Sequence, residues 1–253
     1  MGQSADTSYE ITELCLLAGK IMLQSGGETY RVEDTMMRIA AACGYPESQS
    51  FVTPTGIIFT VNGLNPSTRL VRILERSTDL HKVTRVNDIS RRIARGELDV
   101  PGALRLLKEI ESGKPAYPEW LQAIAAAVAS GCFLILFQGG WSNFLPAALA
   151  GGLGFALLIY LHRLVQIRFF AEFLASLVIG AISEGFVRIG FGSNLDQIII
   201  GSVMPLVPGL LITNAVRDLM AGHLVSGLSK GAEAFLTATA IGSGIAIVLA
   251  VFN

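Results

Sequence analysis

Hydrophobic positions recur along this chain first at helical spacing, then in short alternating runs, and finally in long stretches with no polar face. Ile11, Leu14, Ala18 and Ile21 share one helical face, as do Val32, Met36, Ile39 and Cys43; Gly26-Gly27 and Gly44 break the two runs. Two helices are predicted there. After Pro46 the pattern shortens to β-branched and aromatic runs at 51–53, 57–61 and 70–74. They are separated by Pro54-Thr55-Gly56 and by Asn62-Gly63-Leu64-Asn65-Pro66, which predicts a small antiparallel sheet. Helical spacing returns at Val83, Val86, Ile89 and Ile93, up to Gly96, and again at Leu104, Leu107 and Ile110. Asp99 is placed to cap this last helix, whose first turn tolerates Pro101. The first half thus reads α-α-β-β-β-α-α, about 110 residues, enough for a core of its own.

From Trp120 onward the pattern is different in kind. A helix needs about 20 apolar residues to cross the hydrocarbon core, since each residue advances it about 1.5 Å. Five stretches qualify: 120–137, 144–161, 169–189, 198–216 and 232–252. The first two carry no Asp, Glu, His, Lys or Arg, and the last only Glu233 at its entry. The third contains Glu172, Glu184 and Arg188, and the fourth is interrupted by Pro205 and by Pro208-Gly209. The predicted fold class is an α-helical multi-pass membrane protein with five transmembrane helices and a small N-terminal α/β cytoplasmic domain, divided into 1–115 and 116–253.

Charge sharpens this division. Of 39 Lys, Arg, Asp and Glu residues, 29 lie in 1–119 and 10 in 120–253, so the net charge of −1 averages two unlike halves. Short cytoplasmic loops are enriched in Lys and Arg. His162, Arg163 and Arg168 follow the second span, Arg217 and Lys230 follow the fourth, and Lys114 precedes the first; the opposite links are poor in charge. This predicts the N-terminus inside and the C-terminus outside, with Trp120, Trp141 and Tyr160 near span ends. No signal-peptide pattern opens the chain, so the first domain is expected to stay unexported. Cys15, Cys43 and Cys132 show no metal-binding spacing and are expected to be reduced thiols. No Walker loop, dinucleotide fingerprint or HExxH occurs. No catalytic residue, metal or cofactor is predicted, lipid is the expected environment, and no nucleic-acid partner is expected.

The polar run from Gly26 to Asp34 is explained by a helix start, with Thr29 able to cap and Glu33 and Asp34 suited to the positive end of the helix dipole. Asp79 with His81 reads as a surface turn. Ionisable groups inside a membrane are costly and default to functional candidates; Glu184 and Arg188, four apart, are placed to pair on one face, while Glu172 lies near a span end where it is cheap. In the fourth span Pro208 removes a donor and clashes with the preceding turn, so the helix should break or kink. A helix restarting there aims unpaired N–H groups at the break, the arrangement that receives a substrate carboxylate in broken-helix transporters.

Val207-Pro208-Gly209 followed by Asn214-Ala215-Val216, Asp218, Gly222-His223 and Gly227 resembles the threonine/serine exporter family, as do Gly139-Gly140-Trp141 and Gly27-Glu28 with Val32. The similarity runs through nearly the whole chain and is greatest to the short branch, whose members form the larger subunit of a two-component exporter associated with succinate export. That resemblance implies an inner-membrane exporter of small carboxylated metabolites, with a cytoplasmic domain ahead of five spans. Longer members fuse further spans, so it also implies a separate small membrane subunit as partner.

The expected mechanism is alternating access by a secondary exporter of succinate-like dicarboxylates or threonine and serine, coupled to the proton gradient. Pro208 and Gly209 make the break, and Gly209, Leu210 and Leu211 offer backbone donors. Asn214 hydrogen-bonds the substrate, and Arg217 or His223, beside Asp218, attract the anion at the cytoplasmic mouth. Imidazole changes charge in the physiological range, which makes His223 a candidate proton sensor. The alternative is a membrane-anchored metabolite sensor or assembly module without flux, with Gly227 to Gly231 and the face of Ala123, Ala127 and Ser130 suited to helix association.

Overall fold

The computed structural model describes residues 2–62, 66–113, 117–164, 167 and 169–252, with side chains from Ser8 onward. Lys114, Arg168 and the Gly63-Leu64-Asn65 part of the sheet turn lie outside the described residues, as does the 115/116 boundary. The chain forms two compact units, Met1–Ala116 with Leu210–Gly231, and Tyr117–Gly209 with Ala232–Asn253.

The first unit contains α1 (Gly2–Gln24), α2 (Thr29–Ala42), β1 (Gln49–Thr53), β2 (Gly56–Val61), β3 (Ser67–Arg72), α3 (Leu80–Ala94) and α4 (Val100–Ser112). The strands form an antiparallel meander in the order β1-β2-β3. Side chains alternate across a strand, and Ile57, Phe59 and Val61 of β2 turn inward, all fully buried. They join Leu14, Ala18 and Met22 of α1, Met36 and Ile39 of α2, Val86 of α3 and Leu107 of α4 in one core. The helical periodicity of the sequence marks these inward faces.

The third strand is displaced from the expected 70–74. Its pairing is limited by β2, which matches Gly56 with Arg72 at one end and Val61 with Ser67 at the other. Leu74 therefore lies beyond the ladder, 74% exposed, and its apolar character is no sign of pairing. Asp79 caps α3 by accepting from the Lys82 amide, and Asp99 caps α4 by accepting from the Gly102 amide. All three cysteines are free; burial pushes the thiol of Cys15 up, and that of half-buried Cys43 likewise, so both stay protonated and inert.

The second unit holds α5 (Glu119–Leu136), α6 (Phe144–Leu164) after a 3-10 turn at Trp141–Asn143, α7 (Phe170–Arg188) and α8 (Leu195–Val203) ending in a 3-10 turn at Met204–Leu206. Next comes α9 (Gly209–Met220), which belongs to the first unit from Leu210 onward; α10 (Leu224–Phe252) enters the second unit at Ala232. Among the described residues four helices are long and apolar enough to cross a membrane: Glu119–Leu136, Trp141–Leu164, Phe170–Arg188 and Leu224–Phe252. Leu195–Leu206 and Gly209–Met220 pass the same test as a pair, bent by 60° at the break between them. Only 22% to 39% of the most apolar window of each of the four is buried. Apolar surface left uncovered on several helices of this length demands lipid, and the chain is a multi-pass α-helical membrane protein.

Within this unit Ser202 of α8 donates to the carbonyls of Ile198, in its own helix, and Ala147 in α6, at 2.7 and 3.1 Å. Asn143 accepts from the amide of Ser193 at 2.8 Å. Ala234, Ile241 and Val248, spaced by seven, form the buried seam of α10. That helix begins at Leu224, eight residues before the expected span, because Lys230 and Glu233 mark where polarity ends and do not stop a helix.

Candidate functional site

The site grows from the turn between α1 and α2. Gly26 has φ +89°, a conformation that side-chain-bearing residues rarely adopt, and the Gly27 amide closes the end of α1 on the Met22 carbonyl at 2.9 Å. The chain then enters α2 with Glu28 in extended conformation at the cap position, so Thr29 is already the first helical residue. The expected capping by Thr29 is thereby corrected: neither Glu28 nor Thr29 caps with its side chain. The carboxylate of Asp218, 189 residues away, accepts from the Thr29 amide at 2.9 Å. An anion at this position satisfies an orphan donor and meets the positive end of the helix dipole.

Asp218 lies on α9 with Asn214 and Ala215, the buried face of that helix. A turn through Gly222, at φ +87°, reverses the chain into α10, whose first two turns carry Ser226 and Lys230. Lys230 is 3% exposed and Asp218 0%. The ammonium donates to Asp218 Oδ2 at 2.7 Å and to Thr29 Oγ1 at 3.1 Å, with a longer contact to the Gly27 carbonyl at 3.5 Å. Its three protons thus face three acceptors. Desolvating two charges costs several kcal/mol, roughly, and is offset only when such additional bonds are complete. Beside the pair, Asn214 Nδ2 donates to the Gly26 carbonyl at 2.9 Å.

Two further connections surround this centre. Glu28, almost covered, takes Arg217 Nη1 at 2.6 Å and Arg31 Nε at 3.3 Å. Val52 lies on edge strand β1, and its outward backbone groups are both used: Glu33 Oε1 accepts from its amide at 2.8 Å, and Ser226 Oγ donates to its carbonyl at 3.1 Å. Side chains from α2 and α10 so close the hydrogen-bonding edge that a terminal strand exposes.

Burial raises the carboxyl of Glu33 above the ordinary glutamate range; the Val52 amide and His223, whose Nδ1 is 3.8 Å from Glu33 Oε2, oppose the shift, and Asp218 adds to it. A carboxyl raised by folding contributes stability that is fully present below its ordinary pKa of 4.5 and is lost as pH rises through the raised value. Glu33→Gln keeps the acceptor for Val52 and removes the charge. The melting temperature of the purified chain should therefore fall less in this variant than in the parent as pH is raised from below 4.5 to neutrality. Parallel curves for the two proteins would refute the assignment.

The expected site residues fall into two groups. Pro208, Gly209, Leu210 and Leu211 lie at the break: Val207 is extended, the Gly209 amide turns back onto the Val207 carbonyl at 2.8 Å, and α9 starts at Gly209. Asn214, Arg217, Asp218 and His223 instead engage Gly26, Glu28, Thr29 and Glu33, as described above. Glu184 and Arg188 form an ion pair at 2.6 Å, and Arg188 also donates to the Phe252 carbonyl at 3.3 Å. Glu172 meets His162 Nε2 at 3.2 Å.

Sequence reasoning missed Lys230, Thr29, Glu33 and Ser226. Read locally, Lys230 is a charge in the link after the fourth span; it precedes a long apolar run, and the turn at Gly222 between it and Asp218 hides their pairing.

The threonine/serine exporter family model, ThrE, matches residues 13–252. "Probable succinate transporter subunit YjjP" of Escherichia coli (strain K12) is 28% identical over 248 residues, covering 96% of this chain and 95% of that protein. The protein of the same name from Klebsiella aerogenes is 27% identical over 260 residues, covering 98% and 97%. "Probable threonine/serine exporter" of Mycobacterium tuberculosis is 23% identical over 243 residues, covering 95% of this chain and 46% of that protein. No solved structure matches.

Proposed function

The chain belongs to the threonine/serine exporter family, ThrE, and from that membership we propose that it is one subunit of a two-component secondary transporter exporting small carboxylated metabolites. It is a transporter and not an enzyme. Succinate-like dicarboxylates are the leading substrate class, with threonine and serine second, because the relatives covered almost end to end are named for succinate. The partner is a separate small membrane subunit, a reading supported by the word subunit in those names. The setting is the inner, or plasma, membrane of a bacterium, N-terminus cytoplasmic and C-terminus outside, with the bent pair counted as a fifth span. His162 and Arg163 at the end of α6 support that orientation.

The observation that carries the transport reading is the break at Val207-Pro208, where α9 restarts and presents the positive end of its dipole to the gap, the Gly209 amide being already turned onto the Val207 carbonyl. Pro208 and Gly209 make the break, and the amides of Leu210 and Leu211 supply the carboxylate contact. Asn214, Arg217, Asp218 and His223 act with Lys230 as a clasp that holds α9 against the Gly26–Thr29 segment and that must loosen for α9 to tilt. Glu184 and Arg188 neutralise each other within a span. Counterflow of labelled succinate, threonine and serine into proteoliposomes holding the chain with its partner subunit should show saturable exchange, fastest for succinate. Absence of exchange for all three, with and without the partner, rejects the proposal.

A further inference from the structure

In the buried cluster of the first unit every carboxylate but one has a permanent cation. Glu28 has Arg217 at 2.6 Å and Arg31 at 3.3 Å, and Asp218 has Lys230 at 2.7 Å. Glu33 differs. Among the described residues the only ionisable nitrogen within ion-pair distance of it is His223 Nδ1, 3.8 Å from Oε2. That separation is too long for a direct hydrogen bond. Its other oxygen accepts from the Val52 amide, a neutral donor, at 2.8 Å. Water has little access to either side chain, Glu33 being 20% and His223 24% exposed.

The elements around Glu33 bring no further cation to it among the described residues. Asp218 on α9 repels it, and Lys230 on α10 is spent on Asp218, Thr29 and Gly27. From β1 comes the Val52 amide, and α1 and α3 meet α2 across the apolar core. On α2 itself Asp34 pairs with Arg38 at 2.6 Å, and Glu33 already lies in the second turn, past the reach of the dipole's positive end. A carboxylate that is mostly covered and stands near another is costly unless a proton sits on it or on the base opposite. One proton on Glu33 or on His223 balances the cluster. Without it, Asp218 and Glu33 share a single buried ammonium.

The pair also lies at a junction. Glu33 belongs to α2 and His223 to the turn joining α9 to α10, while Ser226, three residues on, donates to the carbonyl of the same Val52 whose amide Glu33 accepts. We propose that Glu33 and His223 bind one proton between them, and that this proton fastens the hairpin of α9 and α10 onto α2 and β1. Its loss leaves an uncompensated carboxylate beside Asp218 and loosens the hairpin. The sign follows from burial, which raises the Glu33 carboxyl above its ordinary value of 4.5: the fastened state holds the proton more tightly than a solvated glutamate does. Fastening is therefore complete at low pH and is lost as pH rises through the raised value. In the proposed exporter, a reading on which this use of the site rests, release of the proton is what frees α9 to tilt.

The test follows the hairpin itself, in the full-length chain in detergent and without substrate. Nitroxide labels are placed at Ala42→Cys on α2 and Met220→Cys on α9, both exposed, with Cys43 and Cys132 replaced by Ser and buried Cys15 retained. Their separation is read by pulsed electron paramagnetic resonance between about pH 5 and about pH 8, the range in which imidazole changes charge. A short distance should dominate at the acid end, and the ratio of long to short should rise about tenfold or more across the range, as release of one proton on loosening requires. Glu33→Gln keeps the acceptor for Val52 and should hold the short distance throughout. His223→Asn removes one of the two seats for the proton, so loosening should begin at lower pH. Distances in the parent that ignore pH overturn the proposal, as does a Glu33→Gln variant that loosens like the parent; an unmoved midpoint in His223→Asn removes the sharing. Counterflow of succinate decides the transport reading separately: pH-dependent distances without counterflow keep the proton site and remove the exporter, and the reverse result removes the proton site alone.

Discussion

Asp218→Ala should destabilise the first unit by about 3–5 kcal/mol, the cost of leaving one member of a buried ion pair without its partner. The loss is compounded by geometry. Without the carboxylate, the Lys230 ammonium remains 3% exposed beside the N-terminus of α2, whose dipole presents a positive end, and the Thr29 amide loses its acceptor. Lys230→Met is the milder change, because Asp218 would still accept from Thr29 and face the same dipole favourably. Replacing both, as Asp218→Leu with Lys230→Met, removes both charges and should return stability to within about 1–2 kcal/mol of the parent, since paired apolar replacements are often neutral. Thermal melting of the four proteins in detergent reads the order parent, double, Lys230→Met, Asp218→Ala. Equal losses for the two single variants would show that the dipole of α2 plays no part in holding the carboxylate.

Replacing Pro208 and Gly209 together by Ala should reduce export about 100-fold or more while leaving membrane insertion intact. Proline denies the helix a donor and collides with the preceding turn, and glycine weakens the restart. Two alanines favour continuation of Leu195–Leu206 into Gly209–Met220 and a straightening of the 60° bend. The amides of Leu210 and Leu211 would then bond to preceding carbonyls and be lost to a substrate. Two hydrogen bonds to a carboxylate, at about 1.5–3 kcal/mol each, correspond to that loss of flux. The measurement is efflux from loaded proteoliposomes containing equal amounts of inserted protein. Undiminished efflux would mean that the break serves packing and that substrate passes elsewhere.

Much of the architecture was legible in the amino-acid order, and the legible parts share a cause. Ile57, Phe59 and Val61 alternate because one face of β2 is buried, and Leu14 and Ala18 recur because one face of α1 is. Such patterns arise from a local segment meeting either water or a core, and composition records that directly. The stretches around residues 120–137, 144–161 and 169–189 stand out for the same reason, lipid replacing water as the solvent. The break at Val207-Pro208 was also readable, because proline acts on its own backbone. Less legible were boundaries set by a neighbour: β3 stops at Arg72 because β2 offers no further partner.

The candidate site residues divide along the same line. A helix break and an i, i+4 charge pair such as Glu184 and Arg188 are local, and the chain alone disclosed them. What Asp218 does was not disclosed, because its partners are the Thr29 amide and Lys230, one of them 189 positions away. Read locally, Thr29 looked like a cap and Lys230 like a loop charge. Only folding, which brings α9 and the start of α10 onto the Gly26–Thr29 segment and excludes water from them, turns a threonine amide, an aspartate and a lysine into one buried cluster. Hydrophobic periodicity is a property each segment carries alone, whereas a polar partnership across distant segments exists only once the tertiary structure has chosen which groups lose their water together.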